Sequence, residues 1–248
     1  MAKQAPSQAK TDPFDLFEDF FNDLQQQDII KLHSIHLVGT ALTSDYDERV
    51  SDINSIVVLP KMDLRFIEYL APLGRKHKPR RIAAPLIMTP DYITSSLNTF
   101  PVEFLSYKLI HRTVFGPDIL AGLTFKRKYM QLQCNREIKS KLIWLRQAYL
   151  NSYGDERILK ARLSEAIIGF FPLFRALLAL NGRPVPKTCN GIVGEVQRLS
   201  GVETGIFKKM FLLRHKQLSL DGSELVTAFE ELYDATEKIL TKVDVSGH

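Results

Sequence analysis

The sequence predicts an α/β domain with a mixed sheet followed by an all-α helical bundle, and three observations carry that prediction. Short β-branched and apolar runs alternate with helical patterns over residues 30–120, as in an α/β layer. Beyond about residue 125 the pattern changes to long stretches of helical spacing, separated by glycine, proline and asparagine. A chain of 248 residues can also hold two modest cores, since domains usually run to about 100–150 residues. The resulting divisions are a tail over residues 1–12, a first domain over 13–124 and a helical bundle over 125–248.

Residues 1–12 are polar and rich in alanine and glutamine, so a mobile tail is expected there. Asp12 or Thr11, ahead of Pro13, can cap a helix whose apolar face is Phe14, Leu16, Phe17, Phe20, Phe21 and Leu24. Residues 29–38 end in an alternating β-branched run that breaks at Gly39-Thr40, a strand entering a tight turn. A second strand over 53–59 stops at Pro60, and a helix is predicted over 62–73. Strand signals return over 82–88 and over 102–107, the latter entered through Phe100-Pro101. In the second half, residues 128–151 form an amphipathic helix and 156–180 are apolar enough for a central, largely buried one. Asn181-Gly182-Arg183-Pro184 ends that helix, and shorter patterns over 191–199, 206–215 and 223–243 complete a bundle of about five.

Hydrophobic residues make up 45% and charged residues 25%, ordinary values for a soluble globular protein. No stretch approaches about 18 uninterrupted apolar residues, and no apolar run follows the N-terminal lysines, so a cytoplasmic protein without a membrane partner is expected. Cys134 and Cys189 lie far apart and read as ordinary thiols. A net charge of +5 favours anionic ligands such as nucleotides or nucleic acid without choosing between them. The six histidines are scattered; the nearest groupings, His33 with His36 and His111 with Arg112, lack the other ligands of a metal site.

One segment carries chemistry. Gly39-Thr40 is followed after eleven residues by Asp52-Ile53-Asn54, which leads directly into the apolar strand over 55–59. A small turn after a strand lets backbone amides approach phosphates, and the Thr40 hydroxyl can add a hydrogen bond. Acids at alternate strand positions point the same way, so two of them can share a Mg²⁺ that bridges phosphate oxygens. This layout resembles the signature of the polymerase beta-like nucleotidyltransferase superfamily: a small pair, a variable loop, and Asp-x-Asp at the start of a strand. Asn54 departs from that pattern, because its carbonyl can ligate a metal but brings no charge.

The resemblance implies that Gly39 and Thr40 hold the β- and γ-phosphates of ATP or another nucleoside triphosphate, with Asp52 and Asn54 holding Mg²⁺. It further implies a third carboxylate on a later strand, ligating metal or accepting the acceptor's proton, for which Glu103 is the candidate. Residues 114–120 look like the connection after that strand in aminoglycoside adenylyltransferases, and a helical C-terminal domain closing over the site is characteristic of them. The implied activity is transfer of a nucleotidyl group, AMP foremost, to a hydroxyl on a small molecule, protein or RNA. The alternative is a catalytically degenerate fold that binds nucleotide, nucleic acid or a partner protein. A homodimer is compatible with the aromatic N-terminal helix.

Other features have rival readings. Asp45, Asp47 and Glu48 could supply the charge that Asn54 lacks, or form a solvated loop. Arg75-Lys76-His77-Lys78-Pro79-Arg80-Arg81 could bind a triphosphate, RNA or an acidic partner, or be a solvated connector; it lacks aromatics for stacking bases. Lys108, His111 and Arg112, or Lys139, Arg146, Arg157 and Arg162, could reach a triphosphate. Small helical ribonuclease toxins use an arginine and a histidine four to six residues apart, whereas Arg214 and His215 are adjacent and diverge around a helix.

Overall fold

The structure, a computed structural model, describes residues 12–242. Of the tail expected over 1–12, residues 1–11 lie outside them, as does the end of the last helix at 243, while Asp12 lies within them as a helix cap. Helix α1, Pro13–Gln25, is capped by Asp12, whose carboxylate accepts from the Phe14 amide, with Pro13 in the first turn where its missing N–H costs nothing. Strand β1, Ser34–Val38, follows, then a 3-10 turn at Thr40–Leu42, and β2, Asn54–Val58. Helix α2, Leu64–His77, runs past the expected end at residue 73 and carries Pro72 and Gly74 inside it. Strand β3, Leu86–Met88, is shorter than predicted, with Ile82 adding only an isolated bridge to Ile53.

Two elements escaped the sequence reading, and one was misread. Helix α3, Pro90–Ser96, starts at Thr89, whose hydroxyl accepts from the Tyr92 amide. Residues 102–107, expected as a strand, lie in helix α4, Pro101–Leu109, with Pro101 at the helix start. The strand comes just after it, as β4, His111–Phe115.

The sheet order is β3-β2-β1-β4; β1 is antiparallel to β2 and β4, and β2 is parallel to β3. A mixed four-stranded sheet is therefore confirmed. One face packs Ile35, Leu37, Ile53 and Val57 against Phe17, Phe20 and Leu24 of α1 and Phe66 and Leu70 of α2. The other packs Val38, Ile56, Val58 and Met88 against Ile93 of α3, Phe104 of α4, and Leu120 and Leu123.

The helical half comprises α5, Arg127–Leu150; α6, Glu156–Ala166; α7, Phe170–Leu180; α8, Cys189–Ser200; α9, Gly205–Arg214; and α10, Gly222–Lys242. Nine of the eleven residues of α7 are buried, so it forms the axis of the bundle. The segment Glu156–Leu180 is long and apolar enough to cross a membrane by composition, yet it breaks at the 3-10 turn Ile167–Gly169 and 61% of its most apolar window is buried within the protein. It is a core element here. Helix α4 joins the two halves: Val102 and Leu105 enter the helical core while Phe104 enters the sheet's.

Candidate functional site

The sheet topology gathers the signature residues on one rim. Strand β1 ends there, while β2, β3 and β4 begin there, because β2 and β4 run opposite to β1 and β3 runs with β2. Val38 pairs with Asn54 on one side and His111 on the other, which puts Gly39-Thr40 beside Asp52-Ile53. Gly39 adopts φ +85°, and its amide donates to the Ile110 carbonyl at 3.1 Å. That amide is spent on the fold; the open donors of the turn are those that begin the 3-10 helix at Thr40 and Ala41.

Asp52 and Asn54 are exposed on this rim. The Asp52 carboxylate is ion-paired with Arg81 at 3.0 Å, and the Asn54 amide nitrogen donates to the Asp52 carbonyl at 3.4 Å. Arg81 also donates to the carbonyls of Val50 at 2.7 Å and Ser51 at 3.0 Å, so one guanidinium clamps the foot of the loop that precedes β2. Leu86, which opens β3 and pairs with Ile56, and Ala84, two residues before it, are the nearest positions on that side, and neither is an acid.

Glu103 does not reach this rim from a strand. It lies in the first turn of α4, where its carboxylate accepts from the side-chain amide of Gln133 on α5 at 2.7 Å, while the Gln133 carbonyl caps the Val102 amide at 3.0 Å. The acid tolerated in an apolar run is thus explained by a helix start and a partner across the helical core. Among the described residues no group of three or more His, Cys, Asp or Glu could hold a metal ion.

The other sequence candidates are placed as follows. In the basic connector, Lys76 and His77 bond the Asp23 carboxylate at 2.7 and 2.6 Å, and Arg80 pairs with Asp19, so α1 neutralises much of its charge. Lys108 donates to the Leu123 carbonyl at 2.7 Å; Arg146 bonds the Tyr233 hydroxyl, Arg157 pairs with Asp155, and Arg162 with Glu165. His111 bonds Asp118 at 3.0 Å. Burial pushes the Asp118 carboxyl up, but the bonds from His111 and the Ala121 and Leu120 amides outweigh it and hold the pKa below the ordinary value. Beneath lies His36, fully buried, with Nδ1 bonded to the Thr113 hydroxyl and Nε2 to that of Ser34, both at 2.9 Å. Burial lowers its pKa to about 4, so it is neutral at pH 7.

A cleft of about 930 Å³ opens between the loop over 44–49 and the helical half, lined there by Cys189, Asn190, Lys208, Phe211 and His215. Two features of it are legible only in three dimensions. The Asp45 carboxylate crosses from the loop to accept from the Cys189 amide, the first of α8, at 2.5 Å. Behind them is Arg175 of α7, only 7% exposed; its Nη2 donates to the Lys187 carbonyl at 3.4 Å while its buried Nε has no hydrogen-bond partner. Burial lowers its pKa to about 10, with Asp45 drawing it back up, so it remains charged. Arg175 does have a sequence signal, as the lone charge in the apolar run over 170–180. Asp47 turns instead to Arg49, whose bonds hold its pKa down at about 2.

No protein-family model and no curated protein matches the chain. Among solved structures it is similar to spectinomycin adenyltransferase AAD(9) from Enterococcus faecialis, crystallised with ATP and spectinomycin. The identity is 11% and the TM-score 0.54, over 90% of this chain and 99% of that one. The likeness shows the fold: a nucleotidyltransferase-like α/β domain followed by a helical region.

Proposed function

We propose that this chain binds a nucleotide between its two halves and does not transfer the nucleotidyl group. The observation that carries the reading is the rim itself: its one signature carboxylate, Asp52, is held by Arg81, its neighbour Asn54 is uncharged, and the adjoining strand offers Ala84 and Leu86. These residues fit a Mg²⁺ centre poorly, since such a centre takes one or two carboxylates together with substrate phosphates and waters, and here the single carboxylate is ion-paired and its neighbour is a neutral amide. Glu103 would have to leave Gln133 to take part. Transfer of AMP to a hydroxyl acceptor, the activity implied by the sequence signature, is therefore the weaker reading.

Binding has better support. The cleft has the volume of a small-molecule site. Its helical wall offers the positive end of α8, with Lys208 at the mouth and charged Arg175 behind, a combination suited to phosphates. ATP is the ligand to try first, because the similar enzyme was solved with it. Calorimetric titration with ATP is expected to give binding that weakens at least about tenfold in Arg175→Met and Lys208→Ala, the loss of one charge-assisted bond. No heat of binding with wild type would sink the nucleotide reading. Incubation with ATP labelled on the α-phosphate, Mg²⁺ and spectinomycin is expected to leave the acceptor unlabelled; a labelled product would restore the transferase.

A further inference from the structure

One side chain of the loop bridges the cleft. Of the acids in the loop over 43–51, Asp47 is bonded to Arg49 and Glu48 is exposed, whereas Asp45 reaches the helical half and takes the first amide of α8, 144 residues away in sequence. That amide is where an anion is best held at a helix start, since the first N–H groups have no intrahelical partner and the dipole is positive there. The same point is backed by Arg175, more than nine-tenths buried, bonded to the carbonyl two residues before Cys189, with Nε unpartnered. A monovalent carboxylate satisfies one amide here and leaves Arg175 Nε open. The loop itself is held, by Tyr46 buried in the sheet's core, by Thr43 bonding the Thr40 carbonyl and by Arg81 on Val50 and Ser51, so the movable part is the Asp45 side chain.

We infer that Asp45 is an internal competitor for the phosphate position: its carboxylate occupies the first amide of α8, and a polyphosphate binds by displacing that side chain. The inference rests on the reading of the cleft as an anion site, and concerns what holds that site in the absence of an anion. Displacement trades one carboxylate bond for the greater charge of a phosphate at the α8 amide, in the field of the Arg175 guanidinium that already acts on Asp45. Cys189 reports the contact independently, because its thiol is buried at the cleft wall beneath the Asp45 bond.

The test uses the full chain, with inorganic tripolyphosphate as probe and wild type, Asp45→Ala and the more conservative Asp45→Asn as proteins. Both variants are expected to bind tripolyphosphate about tenfold tighter than wild type, since they remove one charge-assisted bond that the ligand otherwise displaces. Iodoacetamide is expected to alkylate Cys189 faster in the variants, read by peptide mass mapping, with the core thiol Cys134 unchanged. Equal tripolyphosphate affinity in all three proteins, or none in any, overturns the competition whatever ATP does. Tighter tripolyphosphate binding in the variants without ATP binding leaves the competition standing and removes the nucleotide.

Discussion

Gly116 closes β4 against β1 in a conformation that admits no side chain. Its φ is +72°, and a Cβ there would fall 2.1 Å from the His33 carbonyl oxygen and 3.0 Å from Ser34 Cα, backbone atoms with nowhere to go. Gly116→Ala should therefore cost about 3 kcal/mol or more, from left-handed strain and overlap together; urea denaturation giving a loss below about 0.5 kcal/mol would contradict this packing. A few residues away, His36 makes stability depend on pH. Its folded pKa of about 4 lies below the unfolded value near 6.5, so between those limits the unfolded chain takes up a proton that the folded one refuses. Stability should fall as pH drops from about 6.5 to about 4, by up to roughly 3 kcal/mol, and His36→Gln should lose less over the same window. Parallel pH profiles for the two proteins would show that His36 is not the cause. Sequence set His33 and His36 aside as lacking the other ligands of a metal site, but it could not name what satisfies the His36 ring, because Thr113 lies 77 residues away.

At the scale of elements, the connector after α2 is held down by α1. Asp23 accepts from both Lys76 and the buried His77, and Asp19 pairs with Arg80. Asp23→Ala leaves the His77 ring buried without its partner, a loss of about 1–3 kcal/mol, to be read by thermal and urea unfolding; an unchanged midpoint would mean that α1 docks through its phenylalanines alone. The run of five Lys/Arg in seven positions looked free in sequence because its acids sit on another helix. The strand misplaced over 102–107 has a similar origin. Val102 and Phe104 alternate as in a strand, but Val102, Leu105 and Leu109 are also spaced as one helical face, and a short apolar run fits both periods. Pro101 at the first helical position and the helical core that takes Val102 and Leu105 decide it. The capped α1 and the long, periodic α5 and α10 were legible to within a few residues.

Across the whole molecule, the two halves divide the chemistry unequally. The signature rim was readable because Gly39-Thr40 and Asp52-Asn54 flank one loop between neighbouring strands, so sequence spacing and spatial proximity coincide. The state of that rim was not, since Arg81 arrives from beyond α2 and Glu103 is drawn off to Gln133. Nor was the cleft, whose opposing groups Asp45, Arg175 and Cys189 meet only when the helical half packs on the loop. The result is a nucleotidyltransferase-like fold in which the phosphate position we propose lies on the helical side, away from the metal signature. That division makes one measurement decisive: ATP titrated into wild type and Asp52→Ala, with and without Mg²⁺. Affinity that is equal in both proteins and does not rise with Mg²⁺ is the predicted result; Mg²⁺-dependent binding abolished by Asp52→Ala would contradict it and return the rim to catalysis.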